Sequence, residues 1–133
     1  MDELITSDNI SNERLALIFD AADMDYELNY DTLTFYEEIE VLVIPETPKI
    51  RLVGIFDFDF DSTKRQRFEF VNQINDEFDM ICACVDQEFG LVFRYDLWVD
   101  EGVTDETFAL STARFSFLVN EAIEIYGEGV VDI

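Results

Sequence analysis

A chain of 133 residues, 49% of them apolar and 13 of them phenylalanine, is long enough for one domain spanning residues 1–133 around one packed core, and too apolar for a disordered segment. Its 31 acidic and eight basic residues give a formal charge of −23, which works against nucleic acid and against an anionic membrane surface, where lysine and arginine must replace counterions. Cations, basic polypeptide segments or plain solubility remain as uses for such a surface.

The chain opens MDELITSDN, without the basic and apolar regions of a secretory signal, and no later apolar run is long enough to span a bilayer. A cytoplasmic protein of bacterial type is the expectation. Ser11 is placed to cap a helix over Asn12 to Ala22, with Leu15, Ile18, Phe19 and Ala22 on one face. A strand over Tyr26 to Asn29 follows. A second runs from Glu37 to Ile44, where Ile39, Val41 and Val43 alternate with Glu38, Glu40 and Leu42. Pro45-Glu46-Thr47-Pro48 then marks a turn.

The third strand starts near Ile50. Its even positions, Ile50, Leu52, Gly54, Phe56, Phe58 and Phe60, form a continuous apolar face. Within GIFDFDFDS, Asp57, Asp59 and Asp61 occupy the other face, spaced at about 7 Å, too far apart to wrap one ion. Counted as a calcium loop, the stretch has Ser62 and Phe68 where glycine and a bidentate glutamate are needed. The aspartates therefore read as a solvated face, and Phe56, Phe58 and Phe60 as its anchors.

Ser62 or Thr63 caps a second helix with an inner stripe of Phe68, Val71, Ile74 and Asn75. Asn72 and Asn75 suit hydrogen bonds to nearby backbone more than ligand recognition, and Asn75 suits a helix end. Strands over Asp79 to Asp86 and Leu91 to Val99 form a hairpin in which Gly90 supplies positive φ. Cys82 and Cys84 share one face of the first of these strands, poorly placed for a disulfide. With no histidine and no further cysteine a zinc site lacks partners, so both read as buried free thiols. Trp98 and Val92 lie opposite the apolar face of their strand and become an interface patch if that side is uncovered.

Thr104 caps the last helix, with Asp105 and Glu106 favouring its dipole. Phe108, Thr112, Phe115, Leu118, Val119, Ala122 and Tyr126 form its buried stripe, and Gly127 ends it. Phe117 and Ile125 fall off that stripe, either broadening the buried face or meeting another subunit. The order helix, three strands, helix, two strands, helix predicts an α+β fold. It would be an antiparallel five-stranded sheet with helices packed on it.

No residue set points to catalysis. Without histidine no histidine-based triad or acid–base pair exists, and five scattered glycines supply no phosphate-binding loop. Among 31 acids, chance carboxylate pairs carry no signal. No cofactor is implied.

The element order and several local pieces resemble the YbjN family, a bacterial group of sensory transduction regulators. The resemblance runs from about Ser11 to Tyr126. It rests on the N-x-x-N pair Asn72 and Asn75 within FVNQIN, on the hairpin MICACVDQEFGLVFRYDLWV, and on Asp100-Glu101-Gly102-Val103-Thr104 before the last helix. None of these pieces is catalytic, and Gly102, like the asparagines, reads as structural. The resemblance implies a fold similar to type III secretion chaperones, which are small acidic dimers that hold extended segments of other proteins. Fold similarity does not by itself carry function.

Two uses then follow. The first is a non-enzymatic regulatory protein that offers a sheet face, an edge strand or a helix groove to a polypeptide partner, with basic partners favoured by charge and a homodimer compatible with the sheet. The second is a dedicated secretion or folding chaperone for one client. A cation-binding module or metal-dependent enzyme is a third and weaker reading of the acidic surface.

Overall fold

A computed structural model describes residues 3–132. Its elements are α1 (Asn12–Ala21), β1 (Tyr26–Asn29), β2 (Thr32–Tyr36), β3 (Glu40–Glu46), β4 (Lys49–Phe56), α2 (Lys64–Glu77), β5 (Cys82–Asp86), β6 (Gly90–Trp98) and α3 (Asp105–Tyr126). The strands form one antiparallel sheet in the order β1-β2-β3-β4-β6-β5. The fold is α+β, as the element pattern predicts, but the sheet has six strands rather than five.

The additional strand is β2. Its sequence, TLTFY, follows a tight turn at Tyr30-Asp31, and Tyr30 adopts φ 52. A tyrosine in the left-handed region is a weak turn signal, so this hairpin is hidden from composition alone. Leu33 and Phe35 pair with Val43 and Val41, and all four are buried. Adding β2 also shifts the next strand. Residues 37–39 bend, with the Glu37 N–H donating to the Ile39 carbonyl, and β3 begins only at Glu40. It continues through Pro45, leaving Thr47-Pro48 as the turn into β4.

The helices start where their caps predict. The Ser11 hydroxyl accepts from the Arg14 N–H, and Thr104 accepts from the Thr107 N–H. Thr63 and Gln66 form a reciprocal capping box on α2. On α2 the buried stripe is Phe70, Val71 and Ile74, not one that includes Phe68. Phe68 is exposed, with the Lys64 ammonium 5.9 Å from its ring centre. Asn75 does not end the helix, which runs on to Glu77. The following strand starts at Cys82 rather than Asp79, because Met80 takes φ 74 and breaks the extended run.

All three helices cover one face of the sheet. Phe19 of α1 packs on Phe35 and Phe108 with ring centres 5.2 and 5.1 Å apart. Phe93 of β6 meets Phe56 and Phe70 edge to face at 5.8 and 6.5 Å. Each fully buried phenylalanine contributes about 1.5–3 kcal/mol, so the two clusters are the main tie between layers. No described element covers the opposite face of the sheet.

The GIFDFDFDS segment departs from a long continuous strand. β4 ends at Phe56. Phe58 then bridges to Val131, the Asp59 N–H donates to Val130, and the Asp132 N–H donates to Asp57. The chain turns at Asp59, whose Oδ1 accepts from the Asp61 N–H and whose carbonyl accepts from Ser62. Phe60 is thereby thrown into solvent at 96% exposure, so it anchors nothing. Phe56 and Phe58 do pack against the core.

Candidate interaction surfaces

Two surfaces are candidates for contact with a partner. The first is a groove of about 540 Å³ between the end of α1 and the first turns of α3. Ile18, Ala21, Ala22 and Met24 line one side, and Ala109, Leu110 and Ala113 the other. Four alanines create the space, since any larger side chain there would fill it. Asp105 and Glu106 complete the lining. Asp105 is held at 2.9 Å by the Arg14 guanidinium, which leaves the Glu106 carboxylate without an ion-pair partner among the described residues. Leu110 is half exposed, and Phe117, seven residues on, continues its line along α3 at 55% exposure. Phe117 itself does not line the groove. Ile125 is equally exposed but lies two turns further along and off that line.

The second surface is the uncovered face of the sheet. Alternation places Leu42, Ile44, Val53, Ile55, Val92 and Trp98 on it, together with Lys49, Arg51, Arg94 and Asp96. Trp98 and Val92 both belong to this face, yet they stand at opposite ends of β6 and do not touch as a pair. Val92 pairs with Ile55 and Cys84. Trp98 pairs with Lys49, whose ammonium lies 5.1 Å from the indole centre. Asp96 receives Arg51 at 2.8 and 3.1 Å and Lys49 at 3.4 Å. The Arg51 hydrogen bonds hold its carboxyl below the usual aspartate range, against a smaller opposing effect of burial.

Of the remaining predicted residues, Asn75 and Gly102 serve the local geometry of the backbone. Asn72 is exposed on α2, whereas the Asn75 side chain bonds the backbone of Ala83 on β5. The N-x-x-N pair therefore does not converge on one ligand. Gly102 has φ 91, and a Cβ there would stand 2.9 Å from Leu4 Cδ1. It makes the turn into α3 while Ile5 bridges Val103 beneath it. Cys82 and Cys84 are free and both face the uncovered side, but Cys82 is exposed, contrary to a buried pair. An edge strand has no outer neighbour to shelter it. Burial pushes the Cys84 thiol up, and Arg94 partly offsets this. Among the described residues no three acidic or cysteine side chains are grouped to hold a metal ion, and no helix is long and apolar enough to cross a membrane.

The groove residues were not legible as a site. Alanines at 21, 22, 109 and 113 are scattered along two helices, and only the exposed Leu110 hints that one face of α3 is uncovered.

A family model for YbjN, described as "Putative bacterial sensory transduction regulator", matches residues 11–124. Comparison with curated proteins yields no match. Among solved structures the chain is similar to YbjN from E. coli, described as "a putative transcription regulator", with a TM-score of 0.81 and 16% identity. The match covers 98% of this chain and 100% of that one. At that identity the likeness is one of fold.

Proposed function

Since the chain belongs to the YbjN family, we propose that it is a non-enzymatic, cytoplasmic regulatory protein that works by binding a polypeptide partner. The observation that carries this reading is the apolar groove between α1 and α3, with Glu106 beside it, without an ion-pair partner among the described residues, in a chain of charge −23. Such a groove fits the apolar face of an amphipathic helix, and the surrounding charge favours basic residues on that helix. The E. coli relative is described as "a putative transcription regulator". In this chain the charge works against direct contact with nucleic acid, so regulation would pass through a protein.

A photo-crosslinking residue in place of Ala21, on the groove edge, tests the reading in the native host. A discrete protein adduct that Leu110→Glu abolishes is expected. Equal crosslinking with and without Leu110→Glu, or no protein adduct at all, would sink it. Leu110 is half exposed, so the substitution leaves folding intact.

A second reading, a chaperone for an extended client segment with a type III secretion chaperone-like fold, draws on the sheet edge at β1, since Asn75 already occupies the outward groups of Ala83 on the β5 edge. A secretion operon beside the gene would favour it over the first.

A further inference from the structure

Cys82 and Cys84 stand apart from the groove, and we propose that together they bind a soft monovalent ion of the Cu(I) class, held as a two-coordinate dithiolate on β5. Register opposes Cys82 to Arg94 and Cys84 to Val92, so both thiols leave the same face of the sheet. Two residues along a strand put their Cβ atoms about 6.6 Å apart. A disulfide needs about 3.8 Å, so the pair cannot close into one without moving the strand. A linear sulfur–metal–sulfur unit needs only about 4.6 Å between sulfurs, with metal–thiolate bonds of about 2.3 Å. Each sulfur then leans about 1 Å toward the other, which the two common strand rotamers allow. Cys82 is exposed and Cys84 is half-buried beside Val92, so the pair is open to an ion on one side and sheltered on the other.

The strand is held in that geometry along both of its sides. On the inner side it pairs with β6. On the outer side the Asn75 amide bonds both backbone groups of Ala83, the residue between the cysteines, at 2.7 and 2.9 Å. Coordination number selects the ion. The chain has no histidine and only these two cysteines. Met80, two residues before Cys82, takes φ 74 and packs on the core, so no third sulfur joins the row. A zinc ion, which takes four ligands, would lack two of them, whereas thiolates alone suit soft Cu(I). Binding releases both thiol protons to water, and two thiolates with one cation carry a single negative charge. Arg94, directly across from Cys82 and without an ion-pair partner among the described residues, supplies the balancing charge. It already eases loss of the Cys84 proton, while Asp86, two residues beyond Cys84, opposes that loss.

Anaerobic competition for Cu(I) between the reduced full chain and the chelator bathocuproine disulfonate tests this. One Cu(I) per chain is expected to transfer to the protein, with both thiols lost to a thiol reagent and only sulfur neighbours in X-ray absorption. Cys82→Ser and Cys84→Ser should each weaken binding by about 100-fold or more while far-UV circular dichroism stays unchanged, since neither side chain is fully buried. Arg94→Gln should weaken it by about threefold or more, and Arg94→Lys, which keeps the charge, should restore it. The fold separates this site from a loose pair of thiols. The folded chain should bind at least about tenfold more tightly than the same chain in urea, so Cu(I) should raise the thermal midpoint. Failure to hold Cu(I) against the chelator, retention after loss of either cysteine, or a midpoint that Cu(I) does not raise overturns the proposal. A copper-to-chain ratio above one, or a Cys82–Cys84 disulfide formed within one folded chain by mild oxidant, overturns the two-coordinate geometry. An unchanged affinity in Arg94→Gln overturns the part given to that arginine. Leu110→Glu should leave Cu(I) affinity unchanged, so this site and the groove fail or succeed independently.

Discussion

The side-chain amide of Asn75 pairs with the backbone of Ala83 in both directions, accepting from its N–H at 2.7 Å and donating to its carbonyl at 2.9 Å. β5 is an edge strand, and these outward groups of Ala83 would otherwise face solvent or another chain. A single helical residue thus completes the ladder at this point and ties α2 to the sheet. Asn75→Ala is expected to lower stability by about 1–2 kcal/mol in urea unfolding and to raise light scattering at high concentration. Asn75→Asp keeps the acceptor and loses the donor, so it should not restore the wild-type midpoint. Asn72→Ala, at an exposed position, should stay within about 0.5 kcal/mol of wild type. Equal effects at 72 and 75 would contradict the assignment.

Phe58 and Phe60 separate sharply. Phe58 bridges Val131, packs on the core and carries the Arg67 guanidinium 4.9 Å from its ring centre. Phe58→Ala should cost about 2 kcal/mol, less than a fully buried phenylalanine. Phe58→Asp should cost more, because it places a charge against the core. Phe60→Ala should change the urea midpoint by less than about 0.5 kcal/mol equivalent. Thermal and urea melts of the three variants decide the matter.

Asp96 links stability to pH. Its carboxyl is lowered chiefly by the Arg51 hydrogen bonds, so the folded state binds its proton less tightly than the unfolded chain does. The stability it adds is fully present above the ordinary aspartate value of about 3.9 and is lost as pH falls through the lowered folded value. Asp96→Asn should therefore cost about 1 kcal/mol at neutral pH, a figure kept small because both partners are a quarter exposed. The difference between variant and wild type should shrink below about pH 3.9. A difference that is constant from pH 7 down to acid would show that the charge is not what Asp96 contributes.

The cysteines offer a chemical check on the sheet. Cys82 is exposed, while Cys84 is half-buried with its thiol pushed up by burial. Under native conditions one thiol per chain should react quickly with a thiol reagent and the second at least about tenfold more slowly. Cys82→Ser should remove the fast phase. In urea both should react alike. Two equally fast thiols in the folded protein would place β5 differently from its position here.

Local chemistry was legible in the chain. Ser11, Thr63 and Thr104 cap helices because a hydroxyl satisfies free N–H groups two or three residues on, and that relation needs no distant partner. Gly90 takes positive φ for an equally local reason. Alternation likewise placed Val92 and Trp98 on one side of β6. It could not say whether anything covers that side. The alternating phenylalanines of GIFDFDFDS continue beyond the point where β4 loses its neighbour, so pattern alone carried the strand from Phe56 on to Phe60, four residues too far. Pairing with 130–132, some 70 residues away, settles Phe58 inside and Phe60 outside.

What the amino-acid sequence determined by itself is therefore the set of elements with local caps and strong periodicity, the acidic charge, and the absence of histidine chemistry. The tertiary structure alone decided the sixth strand, the side of the sheet that stays bare, and the groove between α1 and α3. The physical reason is range. Caps, turns and periodicity act between neighbours along the chain, whereas a groove or an uncovered face is made of residues such as Ala21 and Ala113, which carry no signal until packing sets them side by side.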